Sequence, residues 1–242
     1  MGNLHAARVL ARIGFDWLTI DLEHAPLDWR EVATLVAAIA DGGCVPLIRL
    51  PDGSHSTIKR ALDTGTYGII VPMVETIEQA RAAIEAAKYP PVGTRSAGGG
   101  MHNLNFDCGV EEYFLNADDQ TLVILQTESP LGLQNAEEIY ALPGCDAIFV
   151  GPNDLRFRMR DADGIFPSDE KLEQAIQQSI AIARNVGRPI GIHVLDTAQA
   201  NRRIDQGMLF VAIASDLGML TERAKHSIDA LGLTARDDLA RY

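Results

Sequence analysis

Apolar residues in this chain fall in short unbroken runs, separated by stretches whose hydrophobic positions recur with helical spacing. The runs are DWLTID (16–21), VPLIR (45–49), GIIVP (68–72), TLVILQTE (121–128), AIFVG (147–151), PIGIHV (189–194) and MLFVAI (208–213). Short, continuous runs of this kind predict strands buried on both faces. The intervening segments carry helix signals. PLDWREVATLVAAIADGG offers Asp28 as N-cap and stops at Gly42–Gly43, and SPLGLQNAEEIYALPG offers Ser129 as cap with Pro130 in the first turn and stops at Pro143–Gly144. Buried strands alternating with amphipathic helices predict an α/β fold, a parallel sheet covered by helices.

The pattern gives seven strands, and the chain opens with a helix, LHAARVLARIG. A closed (β/α)8 barrel has eight strands. Either the first strand precedes residue 1 or the sheet is open. No composition shift or linker divides the chain, so residues 1–242 are expected to form one domain. The one long loop is PPVGTRSAGGGMHNLNF (90–106), to be read as a flexible connection or as an active-site lid.

Composition narrows the function classes. The chain has 242 residues, 47% of them hydrophobic, enough for a substantial core. Its net charge of −12 repels phosphate backbones and argues against a nucleic-acid partner, while leaving room for a small anion held by local arginines. Cys44, Cys108 and Cys145 lie far apart with no CxxC pair, which suits a reducing cytoplasm. The N-terminus has no signal-peptide core, Ala6 stands where a myristoylation signal needs Ser or Thr, and no stretch reaches membrane-spanning length. A soluble, cytoplasmic protein is expected.

The polar residues cluster where strands end. Asp21 and His24 follow the first run, Arg49 ends the second, Gln126 and Glu128 end the fourth, and Asp154 follows the fifth. Parallel α/β sheets build their sites at the C-terminal ends of strands. Taken singly, each has a bland alternative: Ser129 and Asp154 as helix caps, Arg49 as an ion-pair partner, His24 as a packed histidine. Taken together their chemistry is coherent. Glu128 and Asp154 are hard oxygen ligands suited to Mg²⁺ or Mn²⁺. Arg49 offers a planar fork for a carboxylate. His24 is an imidazole, the side chain suited to acid–base work at physiological pH, and Asp21, three residues back, is placed to fix its tautomer. A divalent ion, a carboxylate clamp and a base suggest proton abstraction beside a carbonyl.

GFDWLTIDLEHAP, PLIRLP, LDTGTYGIIVPMVET, YPPVGTRS, QTES and GPNDL resemble, in the same order, the motifs of the HpcH/HpaI family of metal-dependent (class II) pyruvate aldolases, from about residue 4 to about 220. The resemblance implies a TIM (β/α)8-type barrel, here with the usual first strand missing from the N-terminus of the chain. It implies cleavage of a 4-hydroxy-2-oxo acid to pyruvate and an aldehyde, with Mg²⁺, Mn²⁺ or Co²⁺ as cofactor. By position it makes Glu128 and Asp154 the metal ligands, and sets Arg49, Gln126 and the backbone of Pro152, Asn153 and Asp154 against pyruvate. His24 paired with Asp21 falls on the base. Asp63 matches an aspartate that reaches a neighbouring subunit's site, which implies a homo-oligomer, typically a hexamer.

Two stretches depart from the family pattern. After GPNDL the chain reads RFRMRDADG, where Arg156, Arg158 and Arg160 form a solvated face or reshape acceptor choice; His193 matches no family role and either lines the site mouth or packs at a barrel end. Two alternatives to aldol cleavage remain at this point. One is a metal-enolate relative acting on oxaloacetate, in the manner of a decarboxylase or macrophomate synthase. The other is a non-catalytic oligomeric binding protein on the same fold. A citrate-lyase-like CoA-ester lyase fits the motifs less well.

Overall fold

The computed structural model describes residues 2–100 and 102–232. All seven expected strands form: β1 Trp17–Asp21, β2 Val45–Arg49, β3 Gly68–Val71, β4 Leu122–Thr127, β5 Ala147–Val150, β6 Ile190–Val194 and β7 Phe210–Ile213. They lie side by side in chain order, and every neighbouring pair is parallel. At least one helix crosses between each strand and the next, as parallel pairing requires.

Alternation along the strands sorts side chains into two apolar layers. Ile48, Ile69, Val123, Leu125, Ile148 and Ile192 pack outward under the helices. Leu47, Ile70, Ile124, Ala147 and Phe149 pack on the opposite, inner face. The sheet curls until its two edges approach across that inner face, where the Trp17 ring of β1 stacks on Phe210 of β7 at 4.1 Å and 22°. Phe149 meets Phe210 edge-on at 5.5 Å. Gly191 permits this arrangement, because a Cβ there would lie 1.6 Å from the Phe210 carbonyl oxygen.

The ring of strands does not close. Among the described residues β1 pairs only with β2 and β7 only with β6, so the sheet is a curved seven-stranded half-barrel rather than a complete eight-stranded barrel. Burial follows from this: β3 and β5 are buried throughout, whereas β7, at an edge, is only half-buried.

Local signals act as the sequence suggests, with one exception. Asp28 accepts from Arg30 N and Glu31 N and forms a capping box with Glu31 at the start of helix Trp29–Ala40. Ser129 caps its helix by accepting from Gly132 N at 3.0 Å. The helix expected to run on to Pro143 is instead two, Pro130–Gln134 and Ala136–Tyr140, broken at Asn135, whose side chain donates to the Glu75 carbonyl at 2.8 Å. Within the 90–106 segment, apart from Met101, which lies outside the described residues, Arg95, His102 and Asn103 are buried and the His102 ring lies 4.4 Å from Tyr113 of helix Val110–Gln120, while most of its other residues are exposed. None of its described residues lines the cavity at the C-terminal ends of the strands.

Helix Thr197–Asp205, which packs on β6 and β7, is fastened to helix Asp169–Asn185 by one buried guanidinium. Arg203 donates Nη1 and Nη2 to Glu173 at 2.7 and 2.8 Å, a bidentate pair. The Arg203 hydrogen bonds, against some burial, hold the Glu173 carboxyl down at about 2. A depressed carboxylate contributes stability above its unfolded value and loses it as pH falls through the folded one. Glu173→Gln should therefore melt earlier than the parent at pH 7. The deficit should shrink as pH falls from about 4.5 towards 2 in parallel thermal scans.

Candidate active site

A cavity of about 730 Å³ opens at the C-terminal ends of the strands and continues into the gap between β1 and β7. Strand alternation brings Asp21, Arg49, Gln126 and Glu128 to it from three strands. His24, Pro152, Asn153 and Asp154 reach it from the segments that follow β1 and β5. Nine residues are assigned to the site by sequence; eight of them, seven polar and drawn from separated parts of the chain, line one cleft, and Asp63 does not.

The guanidinium of Arg49 organises one side. It donates Nε to Asp21 Oδ1 at 3.0 Å and Nη2 to Asp21 Oδ2 at 2.7 Å, and Nη1 lies 3.1 Å from Glu23 Oε2 without hydrogen-bond alignment. Burial opposes ionisation of Asp21, but the Arg49 bonds and charge outweigh it and hold that carboxyl below its usual value. Glu23 is pushed the other way: burial and the nearby Glu128 charge raise it despite Arg49. Asp21 Oδ1 also accepts the backbone N–H of Glu23 at 3.0 Å and of His24 at 3.4 Å. Asp21 therefore folds the chain after β1 and does not touch the His24 imidazole. The carboxylate beside that ring is Glu23, 3.6 Å from His24 Nε2. The His24 side chain is 61% exposed, which removes the reading of it as a packed core residue.

The other side is acidic. Glu128 is 2% exposed; its Oε1 accepts Met73 N at 2.7 Å and its Oε2 accepts a short bond from Gln126 Nε2. Burial raises the Glu128 carboxyl in spite of these two donors, and the Asp154 charge raises it further. Met73 reaches it from a left-handed backbone, φ 57°. Gly151 must lack a side chain, since a Cβ would sit 2.5 Å from Glu128 Oε2. Asp154 occupies the first turn of helix Pro152–Arg158 and is not its cap, which is Gly151. A divalent ion suits this donor set. Glu128 and Asp154 are hard oxygens and the Gln126 Oε1 is buried without a partner; among the described residues no group of three His, Cys, Asp or Glu could hold an ion, so these two carboxylates would leave positions for substrate and water.

The HpcH/HpaI aldolase/citrate lyase family profile matches residues 2–222. The chain belongs to that family. It is 35% identical to a hydroxypyruvate/pyruvate aldolase of Roseovarius nubinhibens, over 93% of this chain and 86% of the relative. It is 37% identical to a 2-dehydro-3,6-dideoxy-6-sulfogluconate aldolase of Pseudomonas putida, over 93% and 87%. A crystal structure of an HpcH/HpaI aldolase/citrate lyase family protein from Burkholderia cenocepacia superposes with a TM-score of 0.87 at 32% identity, covering 96% of this chain and 91% of that one. The chain is thus an aldolase-type carbon–carbon lyase.

Within this family member several residues lie elsewhere than the cleft. Asp63, expected to serve catalysis, does not line it; Asp63 Oδ1 accepts from Arg95 Nη2 at 3.0 Å, and Arg95 is fully buried against the Tyr89 ring. Arg156 pairs with Asp169 at 3.4 Å, Arg158 with Glu75 at 3.2 Å, and Arg160 stacks near Phe157 and Phe166, so the three form a partly solvated face outside the cleft. His193 does line the cleft. Sequence reasoning assigned no role to Glu23 or Met73. Glu23 had a signal, as the middle member of the DLEH cluster, but Met73 acts through its backbone N–H and carries none.

Arg49→Ala would leave Asp21 and Glu23 facing Glu128 without their cation. Breaking a fully buried pair costs about 3–5 kcal/mol. This pair is partly solvated, so a loss on the order of 2 kcal/mol is expected in urea unfolding at pH 7. The loss should diminish in acid as the stranded carboxylates take up protons.

Proposed function

We propose that this chain cleaves a 4-hydroxy-2-oxo acid reversibly to pyruvate and an aldehyde, using a divalent metal ion, Mg²⁺, Mn²⁺ or Co²⁺. The observation that carries this reading is the convergence of Glu128, Asp154, Arg49 and His24 on one cleft at the strand ends. Glu128 and Asp154 would hold the ion, whose contribution when bound is Lewis-acid stabilisation of the pyruvate enolate. Gln126 and the Pro152–Asp154 segment border the place where pyruvate fits. Arg49 has N–H donors left over from Asp21 to offer a substrate oxygen.

His24 acts as the base. Its imidazole takes the proton from the substrate's C4 hydroxyl, the C3–C4 bond breaks, the aldehyde leaves, and the enolate carbon takes a proton from water while the imidazolium returns its own to solvent. Glu23, rather than Asp21, is the carboxylate placed to stabilise the imidazolium that forms. The chain's apolar surface supports a homo-oligomer, a hexamer being favoured: helix Asp216–Ala230 buries no residue, and Leu217, Leu220 and Ile228 on it are exposed. Asp63, partly exposed while its Oδ1 holds Arg95, would have its second carboxylate oxygen to offer a neighbouring subunit. Among the described residues no helix is long and apolar enough to cross a membrane, and all three cysteines are free thiols, in keeping with a reducing cytoplasm.

Exchange of pyruvate methyl protons in D₂O, followed by NMR, tests the reading directly. Exchange should vanish in excess chelator and return with Mg²⁺, Mn²⁺ or Co²⁺, and Glu128→Ala should lower it by at least about 10²-fold. Persistent exchange in chelator, or borohydride trapping of pyruvate on a lysine, overturns it. His24→Ala should reduce cleavage by roughly 10²–10⁴-fold with an unchanged melting temperature, because the ring is largely exposed. Sedimentation of the active species tests the assembly, and a fully active monomer refutes it.

A further inference from the structure

We propose that His193 is a specificity-determining residue of this cleft: its Nδ1 accepts a hydrogen bond from a hydroxyl on the aldehyde half of the substrate, so that hydroxyaldehydes are selected over deoxy analogues. The inference rests on the aldolase reading above and deepens it.

Strand alternation places the residue. Ile190, Ile192 and Val194 of β6 are 4%, 1% and 3% exposed and belong to the outer apolar layer, so Gly191 and His193 face inward. Gly191 has no side chain, and the inner face beside it is filled by Phe210 and its neighbours Trp17 and Phe149. His193 is therefore the one side chain that β6 presents to the cleft above that aromatic layer. It lines the same cavity as Arg49, Glu128 and Asp154 but bonds to none of them.

The hydrogen bond it does make decides what it can recognise. His193 Nε2 lies 2.9 Å from the carbonyl oxygen of Ala214. A carbonyl only accepts, so Nε2 carries the hydrogen, and in the neutral ring Nδ1 is a bare acceptor. Ala214 holds that carbonyl in place through two constraints. Its backbone is left-handed, φ 54°, and its N–H donates to the Val194 carbonyl at 2.7 Å. The ring is thus fixed from β7, and among the described residues no donor engages Nδ1.

Two carboxylates of the cleft are already engaged: Asp21 is held by Arg49, and Glu128 by Met73 N–H and Gln126. Beside His193 the wall formed by β7 itself is Val211, Ala212 and Ile213, whose side chains offer a substrate hydroxyl no acceptor, and Ser215 and Asp216 follow only where helix Asp216–Ala230 begins. A hydroxyl seated there finds its acceptor in His193 Nδ1. An analogue without the hydroxyl leaves that nitrogen desolvated and unpaired, which is the asymmetry by which sites built to bond a hydroxyl reject its absence.

The test compares pyruvate addition to glycolaldehyde and to acetaldehyde, for the unaltered chain, His193→Leu and His193→Gln. Each kcat/KM is referenced to the pyruvate proton-exchange rate of the same preparation. The unaltered chain should favour glycolaldehyde by about tenfold or more. His193→Leu should erase the preference by lowering the glycolaldehyde rate alone, and His193→Gln, which keeps an acceptor, should restore part of it. If His193→Leu does not fold, His193→Met carries the same comparison. An unaltered chain without preference, or a variant that slows both aldehydes alike, overturns the inference while leaving the aldolase reading intact. Absence of proton exchange in the unaltered chain overturns both.

Discussion

One charge imbalance governs this cleft. Asp21, Glu23, Glu128 and Asp154 converge at the ends of the strands, and Arg49 is the guanidinium set among them. Arg49 satisfies Asp21 fully and Glu23 only by proximity, so burial and mutual repulsion raise the carboxyls of Glu23 and Glu128. A divalent cation held here would relieve a penalty the fold has already incurred. The Met73 N–H and the Gln126 amide hold the Glu128 carboxylate in position, so the cation would meet a ligand that needs no reorganisation.

The scaffold tolerates this because its rigidity lies elsewhere. The outer apolar layer runs from β1 to β6 and the inner one from β2 to β5, and the acidic cluster sits above them at the strand ends. Two missing side chains set the geometry. Gly191 lets β7 press against β6 and brings Phe210 under the cleft, while Gly151 lets Glu128 and Gln126 approach the backbone after β5. The open edge between β1 and β7 is spanned on its inner side by the Trp17–Phe210 stack, which forms the floor beneath the polar residues of the cleft. Function and closure of the sheet thus meet at the same strand, β1, whose first residue supplies the floor and whose last supplies Asp21.

What the sequence by itself determined is whatever depends on local periodicity and on strand ends. Seven buried runs specify seven parallel strands, because a sheet covered on both faces needs continuous apolar segments and each run has the length of one strand. The same logic put Asp21, Arg49, Gln126, Glu128 and Asp154 in one cleft, since residues at the C-terminal ends of parallel strands emerge on the same side. Partner choice was not legible. Asp21 and His24 are three residues apart, yet the carboxylate turned to Arg49 on β2 and to backbone amides, because a guanidinium 28 residues away offers a bidentate match that an exposed imidazole does not. The left-handed Met73 and Ala214, the burial of Arg95 and His102 within the 90–106 segment and the Asp63–Arg95 pair are likewise set by contacts between distant segments. Periodicity fixes which face a side chain takes; only tertiary packing decides which of several ionisable neighbours lies within about 3 Å, the range in which a hydrogen bond forms.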